Sequence, residues 1–150
     1  MKIYQKLVTT FSLVLLLTLL FTGLASADVL QGRGRLYAKG SGLAVLKMSG
    51  KVEIIGHGKG TIEIAGAEKI EATGQGNRIN GPEGRVVFKD YTGKITVWGR
   101  RMVVRMAGPQ IEFTAKGKGH VLLKGRGIYK TANRTGDWAP DGLEMEVIEE

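Results

Sequence analysis

Apolar and polar residues alternate in short runs along most of the chain. The run at 61–65 shows the pattern, because Ile62 and Ile64 flank Glu63. In a strand both isoleucines point to one side, whereas a helix would scatter them around its circumference. Eleven such runs, rich in Ile, Val and aromatic residues, lie at 35–39, 43–47, 52–55, 61–65, 69–73, 85–89, 94–98, 102–106, 110–114, 120–124 and 127–131. They predict an all-β domain of roughly 10–12 short strands and no helix.

Glycine separates most of these runs. The chain has 23 glycines and only 3 prolines in 150 residues. Glycine at a strand end permits the positive φ or close backbone approach of a tight reversal, so we interpret the clusters as turns. A phrase running from Gly50 to Gly76 returns, with one slip, from Gly93 to Gly119. This repetition indicates a duplicated block of sheet.

Two architectures fit this pattern. In an antiparallel sandwich or barrel, each glycine cluster is a hairpin turn and the two copies form pseudo-symmetric halves. In a β-solenoid, the glycines are corners and each run stacks on its equivalent one turn later. A solenoid should resemble itself at every rung, whereas the self-match here covers several runs at once. The antiparallel architecture is therefore favoured.

The first 27 residues have the features of a cleaved signal peptide. Lys2 and Lys6 precede an apolar run at 7–24, and Ala25 and Ala27 occupy the two small-residue positions of a cleavage site. The alternative is an uncleaved membrane anchor. Cleavage predicts a mature chain that begins at Asp28 and a protein that is secreted or located in the periplasm or cell envelope. The sequence has no cysteine, so the exported domain must be stabilised by its core rather than by disulfides.

Charge divides the predicted mature chain into a basic β domain at 28–136 and an acidic tail at 137–150. The domain has 20 Lys and Arg residues against 8 acids, and the tail has six acids and no base. The excess positive charge of residues 28–136 predicts that this domain binds an anionic polysaccharide or envelope polymer. Sequence-specific nucleic-acid binding is not expected, since no recognition helix or RNA-binding aromatic motif occurs. The densest local group of basic residues is Arg100, Arg101 and Arg105. These three residues, together with Lys116 and Lys118, are the predicted anion-binding residues.

The tail itself has a strand pattern, with Leu143, Met145 and Val147 alternating with Glu144 and Glu146. We expect it to close the domain's own sheet. The alternatives are a disordered tail and self-association, in which the tail adds to the sheet edge of a neighbouring molecule, as in a filament subunit.

Candidate chemistry is sparse. His57 and His120 have no metal-ligand spacing with a carboxylate, and no nucleophile or phosphate-loop motif occurs, so we predict no catalytic residue, metal or cofactor. Glu53 and Glu63 are expected at equivalent solvent-facing positions of neighbouring strands, which keeps a polysaccharide-active enzyme as an alternative. Aromatic residues that could form a sugar-stacking face are Trp98, Tyr91, Tyr129 and Trp138, although Trp98 ends an apolar run and is expected in the core.

Together these features predict an exported, non-enzymatic β domain that acts as an envelope or matrix scaffold or adhesive binder of anionic polymers.

Overall fold

The computed structural model describes residues 29–149, so the predicted signal peptide lies outside the described residues. This part of the chain is all-β and forms one curled open sheet with a short 3-10 turn at Pro82–Gly84. The strands are β1 (Leu30–Arg33), β2 (Leu36–His57), β3 (Thr61–Ala65), β4 (Lys69–Asn80), β5 (Val86–Lys130), β6 (Thr135–Asp137) and β7 (Leu143–Ile148). Within residues 29–149, no helix has the length and apolar character needed to cross a membrane.

The eleven runs lie on strands, and the antiparallel prediction is confirmed by the ladders that β2 and β4 form with β5. The structure differs in how the runs are joined. Three of them belong to β2 and six to β5, so the glycines between them bend these strands without ending them. Each run of β2 pairs with a distant part of the chain, not with its own equivalent one turn later, so the β-solenoid alternative is not the arrangement found.

The sheet curls because β5 borders β2 on both edges. Residues 92–115 of β5 pair with one edge of β2, and residues 113–130 pair with the other. Ala115 consequently lies between Leu36 and Val52, two residues of the same strand. The buried side chains of the sheet form a single hydrophobic core.

The side chains of β2 alternate between the inner and outer faces of the sheet along the whole strand, including its bends. Every second residue of this strand points inward, and the large or apolar ones are buried: Leu36, Ala38, Ala44, Leu46, Met48, Val52 and Ile54. Since the phase does not change at Gly42 or Gly50, the strand bends without turning its apolar face away from the core.

Gly50 shows why these bends need glycine. Its φ is 136°, and a Cβ atom at this position would lie 2.1 Å from the carbonyl oxygen of Lys116. Gly50 pairs with Gly99 on one side and with Gly117 on the other, so three glycines meet side by side at the bend. The two copies of the repeated phrase pair with each other here, because residues 50–56 of the first copy lie opposite residues 93–99 of the second. Equal glycine spacing in the two copies keeps the bends in register.

The acidic tail supplies β7, which is paired on both edges. One edge forms an antiparallel ladder with residues 119–123 of β5, and the other pairs in parallel with β1. Met145 and Val147 of this strand are buried in the core. Self-association through the tail strand would therefore require β7 to leave one of its two strand neighbours within the described chain.

Candidate functional site: a basic edge of the sheet

A β-bulge places two arginines side by side at a bend. Gly99 lies opposite Gly50 and Met102 lies opposite Met48, so Arg100 and Arg101 together face the single residue Ser49. A bulge of this kind breaks the alternation of side chains. Both arginines are exposed as a result, although they are consecutive in the strand.

Register brings further cations to the same bend. Lys51 lies between Trp98 and Lys116 on its two neighbouring strands, and Lys69 lies on the far side of Trp98. Lys118 lies opposite Ser49, next to the bulge. We call this surface the basic edge, after its position along the bend at Gly50 and not at a free strand edge. It is defined by Lys51, Lys69, Trp98, Arg100, Arg101, Lys116 and Lys118.

Trp98 is the aromatic residue of the basic edge. Its flanking residues Val97 and Gly99 are buried, so the indole points to the outer face of the sheet. The ammonium of Lys69 lies 4.9 Å from the ring centroid and that of Lys51 lies 5.8 Å from it. Both distances suit a cation–π interaction. The expectation that Trp98 packs in the core is wrong: strict period two with Ile95 and Val97 places it on the wet side, a signal already present in the sequence.

Three cations of the basic edge have no acidic partner in the described part of the chain. Lys51 and Lys69 pair with Glu53 and Glu71, at 2.6 and 2.7 Å, and Arg100 lies 3.6 Å from Glu68. By contrast, within residues 29–149 no ion pair joins Arg101, Lys116 or Lys118 to an acid.

A groove of about 500 Å³ runs beside the bulge. Its polar lining includes Arg100, Arg101 and Lys118, with Lys47 and His120 from the adjoining strands and Glu146 as its acidic residue. An anionic chain lying along this groove would meet cations from β2 and from two separate parts of β5.

Arg105 does not join the other predicted anion-binding residues. It lies opposite Val45 and Glu63 in the middle of the neighbouring part of the sheet. There it lines a different groove, of about 530 Å³, with Leu43 and Leu122. The two grooves adjoin at Lys47 and His120, which line both, but Arg105 lines the second groove and not the first.

Three of the four predicted sugar-stacking residues are buried. Tyr91, Tyr129 and Trp138 expose 8, 6 and 5% of their surface. Trp138 also donates a hydrogen bond from Nε1 to the carbonyl oxygen of Ile128, at 3.0 Å. Because these rings pack in the core, they offer no face to a sugar, and the prediction is contradicted for all three. Trp98 is the one member whose side chain lies on the outer face.

A second polar cluster, absent from the sequence-based prediction, centres on Glu112. Its carboxylate accepts a hydrogen bond from the hydroxyl of Tyr37, at 3.1 Å, and lies 2.7 Å from Nε2 of His57. Partial burial raises the pKa of Glu112. The hydrogen bonds from His57 and Tyr37 and the charges of Lys39 and His57 outweigh burial and leave the pKa below its ordinary 4.5. No local motif could have found this cluster, since its members come from three distant positions.

The two acids considered for an enzyme are not neighbours. Glu53 lies opposite Thr96 and Thr114, whereas Glu63 lies opposite Val87 and Arg105. A hydrogen bond from Lys51 lowers the pKa of Glu53, and partial burial opposes this effect. The expectation that both acids occupy neighbouring strands is wrong, because the strand that contains Glu53 bends into a different part of the sheet before Glu63 is reached.

The described residues contain no candidate metal-binding cluster, and the comparisons with known proteins identify no relative. In the described part of the chain, no group of three or more His, Asp or Glu side chains could hold a metal ion. No protein-family model matches the sequence, and the searches of curated proteins and of solved structures give no significant match.

Proposed function

We propose that this protein is an exported, non-enzymatic β domain of the cell envelope or extracellular matrix that binds anionic polymers through the basic edge. The observation that supports it best is the grouping of Arg101, Lys116 and Lys118, which have no acidic partner in the described chain, around one bend. Cations without partners retain their attraction for external anions, and a row of them suits a polymer better than a single small ion.

The position of Trp98 favours an acidic polysaccharide among the anionic polymers that could bind. Its ring lies on the outer face beside Lys51 and Lys69. An indole can stack on the apolar face of a sugar ring while neighbouring ammonium groups contact carboxylates or sulfates. An acidic polysaccharide therefore fits this surface better than a polyphosphate, which has no ring to stack.

The test is a binding titration against an acidic polysaccharide such as polygalacturonate, at salt concentrations from low to physiological. The protein is recovered from outside the cell, and its N-terminal sequence should begin at Asp28. The variant changes Arg101, Lys116 and Lys118 together to Gln. We expect binding to weaken and the slope of log K against log salt to fall by roughly two, from about 0.7 for each lost contact with a flexible polyanion.

A matched control removes the same charge from bends elsewhere in the sheet. Lys59, Lys124 and Arg126 are exposed, and each is changed to Gln in the control variant. Equal loss in the two triple variants would show that net charge, not the basic edge, attracts the polymer. Absence of binding at low salt would reject the proposal.

The polysaccharide-active enzyme is the competing proposal. It would require turnover of the same polysaccharide, measured by release of reducing ends. Substitution of Glu53 or Glu112 with Gln should then abolish the activity, whereas a pure binder shows none to lose.

A further inference from the structure

We propose that two copies of this protein form a two-fold dimer by antiparallel pairing of β4 with β4 of the second copy. β4 pairs with β5 along one edge, and the other edge has no strand neighbour within residues 29–149. A free edge presents unpaired backbone N–H and C=O groups, which are a template for another strand. Its twelve residues make this a long free edge.

The opposite end of the sheet is covered. The side chain of Asn133 accepts a hydrogen bond from the backbone N–H of Arg33, at 2.8 Å, and donates one to the carbonyl oxygen of Gln31, at 3.4 Å. The N–H of Ala132 adds a third bond, to the carbonyl oxygen of Arg33, at 3.0 Å. This turn occupies the outer edge of β1, and the neighbouring β6 is only three residues long. Because one end is covered and the other is open, self-pairing closes a dimer and does not extend into a filament.

The centre of β4 lacks the charges that usually protect an edge. Residues 72–77 contain no Lys, Arg, Asp or Glu in an otherwise basic domain, and residues 73–80 are all exposed. Natural sheets commonly place Lys or Pro at such positions to prevent pairing. Like charges directly opposite one another would destabilise a strand pair, and this stretch contains none.

Glycine spacing indicates a second copy as the occupant. Where strands of this sheet bend side by side, glycine lies opposite glycine, as in Gly50 with Gly99 and Gly74 with Gly93. β4 bends at Gly74 and Gly76, whose φ values are 146° and 149°. Antiparallel pairing about Gln75 sets Gly74 of one copy opposite Gly76 of the other. The sequence Gly74-Gln75-Gly76 reads the same in both directions, so β4 of a second copy bends at the matching positions. A strand without this glycine spacing would not.

In this register Gln75 lies opposite Gln75 of the second copy, and this contact defines the test. Sedimentation equilibrium over a wide concentration range should show a reversible monomer–dimer equilibrium. Gln75→Lys and Gln75→Glu each place like charges on the two-fold axis and should weaken the dimer by about fivefold or more. Mixing the two variants should restore affinity to at least the wild-type value, as mixed dimers detectable by native mass spectrometry.

Thr135→Lys is the matched control, because Thr135 is an exposed strand residue at the covered end. It should leave the dimer unchanged. Thermal melts of all variants verify that the monomer remains folded, as expected for substitutions of exposed side chains. A wild-type protein that stays monomeric, or a dimer that neither charge at position 75 affects, would overturn the proposal. Failure of the mixture to regain affinity would overturn the register.

Discussion

At the residue scale, Glu112 shows how pairing between distant segments gives a surface carboxylate a specific environment. Lys39 lies opposite it on β2, and His57 and Tyr37 reach its two oxygens. The pKa of Glu112 is lower in the folded protein than the ordinary 4.5 expected for an unfolded chain. The ionised form is thus favoured by folding, and the stability that it contributes is present above pH 4.5.

This linkage predicts a pH-dependent effect of Glu112→Gln. The variant should melt at a lower temperature than the wild type at pH 7. The difference should shrink as the pH falls from 4.5 through the lower pKa of the folded state, because the wild-type carboxylate then becomes protonated. Thermal melts from pH 7 to strongly acidic pH measure it. Glu71→Gln is the control: its exposed ion pair with Lys69 should matter little at any pH. A difference for Glu112→Gln that stays constant with pH would contradict the prediction.

At the element scale, the bends determine where functional side chains meet. At Gly42 and Gly50 of β2, positive φ is combined with close approach of a neighbouring backbone, and the bulge at Arg100 and Arg101 lies beside Gly50. An outward residue next to a bend lies on the outer face of the curled sheet. Gly50, Gly99 and Gly117 lie side by side, which explains why the basic residues next to them in the sequence group on the basic edge: Lys51, Arg100, Lys116 and Lys118.

The bends also predict which glycines the fold cannot replace. Gly50→Ala should cost about 3 kcal/mol or more, since its Cβ would meet the Lys116 carbonyl at 2.1 Å and its φ of 136° is strained for Ala. Gly84→Ala is the matched control. Gly84 also has positive φ, 73°, but nothing lies within 4 Å of its Cβ position, so about 1 kcal/mol is expected. Urea unfolding measures both, and equal losses would show that close approach at the bend contributes nothing.

At the scale of the whole molecule, the C-terminal tail contributes β7 to the end of the sheet where the outer edge of β1 is covered. β7 is the strand neighbour of β1, and it covers residues 119–123 of β5. Trp138, Met145 and Val147 are the buried side chains of this region. We therefore expect the described chain to unfold as one cooperative unit, without an independently folded basic domain.

Truncation after Gly136 tests this closure. It removes three buried side chains, each worth roughly 1.5–3 kcal/mol, and that sum is comparable to the 5–15 kcal/mol typical of a small domain. The truncated protein should melt far below the full chain or fail to fold, as measured by circular dichroism. A variant with Glu144 and Glu146 changed to Gln keeps β7 and should retain most of the stability. An unchanged melt after truncation would show that β7 is dispensable.

The sequence by itself determined the strands, the inward positions and the glycines that permit bends. These features are local: period two assigns faces within a run, and glycine alone tolerates positive φ beside a neighbouring backbone. Trp98 could have been placed correctly from the same period. Only the tertiary structure decided that glycine bends the strands instead of ending them. It also decided that Lys51 lies between Trp98 and Lys116, and that Arg105 lines a different groove from Arg100 and Arg101. Those outcomes depend on register between segments far apart in the chain, where a shift of one residue would exchange the inner and outer faces.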